Sequence, residues 1–178
     1  ICFQTHSHEI KPAVVDVIIS DGSVSIELVI NAETVLAEVD ASTYQDTNNA
    51  PESLIYDDFR ALSDERLIEF INDQSIKFIN KIKITDLSGP LNLQLEDIFI
   101  FPEGNLEIPR ETTLKFIGET NNENITLQFN KFMGDVVIRQ FNDDTKETVK
   151  YASYLKPAEI SEPLLNTTSS SFLQTSME

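Results

Sequence analysis

Two histidines, His6 and His8, are the only imidazoles in the chain, and both stand in the opening stretch THSHEIKP. Imidazole nitrogen is a good ligand for nickel, cobalt, copper and zinc. His8 is followed by Glu9, so this point offers a ring nitrogen and a carboxylate to a divalent ion. If the chain is cut between Ser7 and His8, the new α-amino group adds a second nitrogen in chelating position. Strong sites add a further His or Cys, and such a cut would remove His6. An ordinary strand start explains the same residues.

A second stretch, DTNNAPE at 46–52, is rich in oxygen donors. Calcium takes roughly six to eight oxygens from carboxylates, amides and carbonyls. Asp46, Asn48 and Glu52 have no EF-hand spacing, because the central glycine and the glutamate at the twelfth position are missing. A loop capping the next helix accounts for them equally. The candidate metal ligands are therefore His8, Glu9, Asp46 and Asn48, and no catalytic or organic-cofactor residue is assigned.

Other chemistries find less support. A Ser or Cys nucleophile needs a base, usually histidine, and beyond the opening stretch there is none. No G-x-S-x-G and no glycine-rich phosphate loop occurs among the five glycines. Adjacent acids occur at Asp57-Asp58, Asp64-Glu65 and Asp143-Asp144. Glycosidase-type work needs two carboxyls converging in a cleft, whereas neighbours in a strand or turn point apart. Arg110 and Arg139 each could anchor an acidic loop or meet a partner, and a structural ion pair is the simpler expectation for both. Cys2 is the only cysteine, so neither an internal disulfide nor a Cys-based zinc site can form.

The charge balance narrows the partners. Thirty acids face thirteen bases, a net charge of −17. With no basic cluster, nucleic acid and anionic lipid surfaces are poor partners, which leaves cations, basic proteins or simple solubility. No apolar run is long enough to span a membrane.

These residues must be positioned by strands. AVVDVIIS (13–20) and SVSIELVI (23–30) flank Asp21-Gly22, a strong hairpin signal because both turn positions tolerate positive φ. Residues 32–42 are ambiguous, with a helical turn around Glu33 to Val39. The polar stretch 42–58 reads as a loop with a helical start near Ser53. Residues 63–82 read as one amphipathic helix, capped by Ser63 and carrying Leu67, Phe70, Ile71, Phe78, Ile79 and Ile82 on one stripe. Six further strand patterns follow between 81 and 155, separated by turn residues. The expected fold is mainly β, an antiparallel β-sandwich of immunoglobulin-like type with one inserted amphipathic helix at about 63–82.

Taken in order, HEIKPAVVDV (8–17), LVINAETVLAEVD (28–40), YDDFRAL (56–62), IPRETTLKFIG (108–118), VVIRQF (136–141) and YASYLKPAEISEPL (151–164) form a series. Together they resemble the extracytoplasmic N-terminal region of HupE/UreJ-type bacterial membrane proteins, over about residues 8–165. The resemblance implies a signal-peptide remnant at 1–7, a mature domain at 8–165 starting with His-Glu, and a Ser/Thr-rich linker at 166–178 towards a membrane domain of the same polypeptide. It implies a location on the periplasmic side, tethered to the inner membrane, and an association with nickel or cobalt handling. Transport itself would belong to membrane helices that these residues do not include. The exit segment departs from the family pattern, with Pro157-Ala158-Glu159 and Ser161-Glu162-Pro163 where the family has Gly and a Ser-Pro-Pro type ending.

Three readings follow. The first is a non-enzymatic head domain that assists metal handling or docks a protein partner. The second is a secreted module that binds a divalent cation through His8, Glu9 and the acidic loops. The third is a carboxylate-based enzyme.

Overall fold

The computed structural model describes residues 9–20, 22–101, 108–120 and 124–165. The candidate ligand His8, the expected remnant 1–7 and the expected linker 166–178 lie outside the described residues.

Strands β1 (Ala13–Ser20) and β2 (Ser23–Ile30) form the expected hairpin, with Ser20 opposite Ser23 and Gly22 at φ 78°. Four helices follow before the next strand: α1 (Ala32–Leu36), α2 (Ser53–Arg60), α3 (Asp64–Asp73) and α4 (Ser75–Ile79). Strands β3 (Ile82–Asp86), β4 (Gly89–Pro90), β5 (Leu93–Ile100), β6 (Thr112–Glu119), β7 (Asn124–Phe129), β8 (Val136–Phe141), β9 (Val149–Leu155) and β10 (Leu164–Leu165) complete the described chain.

The strands make a six-stranded sheet in the order β5-β6-β2-β1-β8-β9 and a four-stranded sheet in the order β10-β7-β3-β4. One apolar core joins them. Val15, Val17, Ile26, Leu28, Leu114 and Phe116 of the large sheet share it with Ile84, Ile125 and Leu127 of the small one. The fold is mainly β and β-sandwich-like, as the strand series implies. The ladders are antiparallel except between β1 and β8, which run parallel and are joined by a long crossover.

The single helix expected over 63–82 is corrected. Ser63 caps α3 as expected, accepting from the Arg66 amide. The helix then breaks at Gln74 (φ −107°, ψ 18°), and α4 ends before Asn80. Ile82 belongs to β3, where it alternates with Ile84 towards the core. An apolar residue at helical spacing from Phe78 satisfies the helix stripe and the start of the strand equally, so the pattern does not mark the boundary. Leu67, Ile71 and Phe78 are buried, while Phe70 is more exposed and packs edge-on against Phe59, 5.7 Å between centroids. The stretch near Ser53 is a full helix.

The exit segment is also more structured than its composition suggests. Ser161 lies against β7: its amide donates to the Leu127 carbonyl at 2.8 Å, and its hydroxyl accepts from the Leu127 amide at 3.0 Å. Leu164 and Leu165 then pair with Ile125 and Asn124. None of the helices among the described residues is long and apolar enough to cross a membrane.

Candidate functional site

In the six-stranded sheet, Val14 of β1 and Val29 of β2 are register partners on the face turned away from the core. Beside them lies a cavity of about 250 Å³. Ile10 and Pro12 bound it on one side and Pro109 on another; Tyr56 of α2, Thr47, Asn31 and Thr34 supply its polar wall. Tyr56 and Thr47 are each only 1% exposed.

Local sequence explains the polar wall. Asn31 follows β2 directly and caps α1, its Oδ1 accepting from the Thr34 amide at 3.1 Å. Its Nδ2 is then directed at the Tyr56 hydroxyl, 3.1 Å away. Burial pushes the Tyr56 phenol above its usual range, against the opposing effect of the Asn31 hydrogen bond. Thr47 starts a short 3-10 turn (Thr47–Asn49) capped by Asp46, whose Oδ1 accepts from the Asn48 amide at 2.9 Å.

At the mouth, Lys11 and Glu111 face each other, Nζ to Oε1 3.3 Å. Arg139 is held by Asp16, Nε to Oδ1 2.7 Å. Arg110 also lines the cavity, yet all its nitrogens are engaged. Its Nε meets Glu33 Oε1 at 2.7 Å and its Nη1 meets Asp64 at 3.0 Å and the Leu62 carbonyl at 2.8 Å. Its Nη2 donates to the Phe59 carbonyl at 2.9 Å. It thus closes the carbonyl end of α2, where a cation is favoured. Arg60 adds a contact to the same Glu33 oxygen at 3.2 Å. Both arginines are 4% exposed and Glu33 is fully buried. The ion-pair expectation for Arg110 and Arg139 is what the structure shows.

The four metal candidates divide. His8 is outside the described residues. Glu9 and Asp46, far apart in sequence, are partners in an isolated antiparallel bridge, fixed by the Ile10 amide donating to the Gln45 carbonyl at 2.7 Å. Asn48 is exposed on the turn that Asp46 caps. The capping explanation for Asp46 therefore holds. Among the described residues no group of three or more His, Cys, Asp or Glu side chains is placed to hold a metal ion.

The paired acids do not gather. Asp57 and Asp58 are exposed on α2, Glu65 is exposed at the start of α3, and Asp143 and Asp144 are exposed between β8 and β9. Asp64 alone turns inward, to Arg110. A second charge cluster gathers around Asp16, and of its members the sequence marks only Arg139. Asp16, 6% exposed, accepts from Arg139 and from Lys146 Nζ at 3.0 Å, and Lys146 also pairs with Glu27. Burial pulls the Lys146 ammonium down, but the hydrogen bonds and charges of Glu27 and Asp16 outweigh it and leave it above its usual range.

In comparisons with known proteins, no family model matches the chain and no curated protein matches it.

Proposed function

We propose that this chain is a non-enzymatic extracytoplasmic head domain of a HupE/UreJ-like membrane protein, carried on the periplasmic side by a membrane domain of the same polypeptide. Its task is to assist nickel or cobalt handling at the start of β1, or to dock a protein partner there. The observation that carries this reading is the Glu9–Asp46 bridge. Two stretches singled out separately for their ligand chemistry meet there, one residue from His8. The net charge of −17 favours cations and basic partners at the same place.

The donor set bears on the metal. Glu9 and Asp46 supply hard carboxylate oxygens, which suit calcium, magnesium or manganese; nickel and cobalt are better served by imidazole. Selectivity for nickel thus rests on His8. Carboxylates without His8 favour the second reading, a self-contained divalent-cation-binding module.

Calorimetric titration of Ni²⁺ and Ca²⁺ into protein beginning at His8, and into its His8→Ala and Asp46→Asn variants, separates these. Micromolar Ni²⁺ binding lost in both variants supports metal handling by the head. Ca²⁺ binding lost only in Asp46→Asn supports the cation module. Absence of binding by either ion removes metal from the reading and leaves partner docking.

A further inference from the structure

We propose that the groove between the start of β3 and the turn after β7 binds a small anion carrying two or more negative charges on oxygen. The inference does not depend on the metal reading, which concerns ligands of the opposite charge. It rests on which lysines the fold leaves without an acid, and on where it puts them.

Pairing comes first. Among the described residues the arginines and Lys11, Lys77, Lys115, Lys146 and Lys156 are each paired with an acid. Lys81, Lys83, Lys131 and Lys150 are not. The first three line a single groove of about 460 Å³, and among the described residues no Asp or Glu lines it. In a chain of net charge −17, a recess with three ammoniums and no carboxylate runs against the composition. Lys131 acts on Asp40 only from a distance, and that carboxylate is already engaged by Ser42 and Thr43.

Position comes next. Lys81 and Lys83 flank Ile82, whose side chain enters the core, so the two lysines share the outer side of the strand. Lys83 lies opposite Gln128 of β7. Lys131 opens the 3-10 turn Lys131–Met133, and the Asn130 amide before it donates to the Lys81 carbonyl at 2.8 Å, tying that turn to β3. Lys81 Nζ lies 5.1 Å and Lys131 Nζ 5.2 Å from the centre of the same Phe132 ring. One aromatic ring thus holds both ammoniums, within about 10 Å of each other. The sequence separates Lys131 from Lys81 and Lys83 by a whole hairpin's length or more, so the cluster exists only in the fold.

Chemistry follows from the donors. Each lysine is a point charge with three donors and no acceptor. A monoanion answers one of them and leaves the others repelling, whereas an anion with several charged oxygens meets them together. Asn130 works in the same sense: its Oδ1 accepts from the Phe132 amide at 3.0 Å, which leaves its amide donors for a ligand. Screening sets the size. Charges farther off than about 8 Å are largely screened at physiological salt, so a compact anion in the groove feels these lysines and little else. A nucleic acid or an anionic membrane would extend over the acidic exterior and be repelled there.

The test titrates citrate, pyrophosphate and acetate, at one ionic strength, into the ¹⁵N-labelled 178-residue chain and follows amide chemical shifts. Citrate and pyrophosphate should shift Lys81, Lys83, Asn130, Lys131 and Phe132, with acetate weaker by about tenfold or more. Lys83→Gln and Lys131→Gln should each weaken citrate about two- to fivefold, the worth of an exposed ion pair, and the double variant should weaken it further. Lys115→Gln, on the six-stranded sheet, changes the net charge equally and should leave citrate binding unchanged. The proposal is overturned if citrate and pyrophosphate give no shifts at the groove, if acetate binds as tightly as citrate, or if Lys115→Gln weakens citrate as much as Lys131→Gln. It is also overturned if a glutamate-rich peptide or phosphatidylglycerol vesicles shift the same amides at lower charge concentration than citrate, since the occupant is then a macromolecule.

Discussion

Replacing Glu33 should be among the most damaging single changes in this protein. Its carboxylate is fully buried in the first turn of α1 and shares Oε1 between Arg60 and Arg110. Removing one member of a buried ion pair leaves the other charge uncompensated, at about 3–5 kcal/mol. Here two guanidiniums lose a partner, although Arg110 keeps Asp64 and three carbonyls. Glu33→Ala should therefore cost about 3–5 kcal/mol, lowering Tm by roughly 6–20 °C for a chain of this size. Glu33→Gln keeps the shape and one acceptor, so it should cost less. Adding Arg60→Met to Glu33→Met should restore part of the loss, because a buried pair replaced by apolar side chains is close to neutral.

Urea unfolding followed by far-ultraviolet circular dichroism is the suitable assay, since the chain has no tryptophan. Glu69→Ala is the control: it breaks the exposed Arg66–Glu69 pair on α3 and should cost under about 0.5 kcal/mol. If Glu33→Ala costs no more than that control, the buried cluster does not hold α1, α2 and residues 108–111 together, and the reasoning fails.

Two further outcomes are expected. The pairing of Lys146 with Asp16 and Glu27 raises the ammonium pKa in the folded state, so its stabilisation is complete below the unfolded value near 10.5 and fades as pH climbs through the higher folded value. Wild type should exceed Lys146→Met in thermal stability at pH 8, and the gap should shrink steadily above pH 10.5; a gap independent of pH would refute the pairing. Ser161→Ala removes the acceptor of the buried Leu127 amide and should cost about 1–3 kcal/mol. Amide exchange should quicken at Leu127 and along β10, and unchanged protection there would show that the exit segment holds without Ser161.

What the sequence disclosed depended on the range of the interactions. The β1–β2 hairpin was legible because its turn chemistry and its alternation are local. Six of the later strands are legible because turn residues separate them, whereas β4 and β10, of two residues each, are too short to carry a pattern. Local pattern could not show the break at Gln74, because Leu67, Ile71 and Phe78 keep the same face on either side of it. Nothing local marks Ser161 for a strand-like role, since that role depends on Leu127, 34 positions earlier. The sequence marks Arg110 for an ion pair, but its partner Glu33 lies 77 residues away in a stretch of ambiguous pattern. The only sign of Glu33 was a lone acid among Ala32, Val35 and Leu36. Likewise Glu9 and Asp46 stand in separate stretches, and a two-residue bridge carries no periodic signature that joins them.

The arginines connect the fold to the surface that partners meet. The chain has four, at 60, 66, 110 and 139, and each is bound to acid of the same chain. Two are buried around Glu33 and a third holds the buried Asp16. The scarce planar cations thus serve inside the protein, where bidentate and multidentate geometry matters most. The acid excess is consequently left outside, on helices and turns such as Asp57-Asp58 and Asp143-Asp144. A field of that sign speeds the approach of cations and basic proteins and is screened beyond about 8 Å at physiological salt. The same use of the arginines inside the fold therefore leaves an acidic exterior suited to cationic partners.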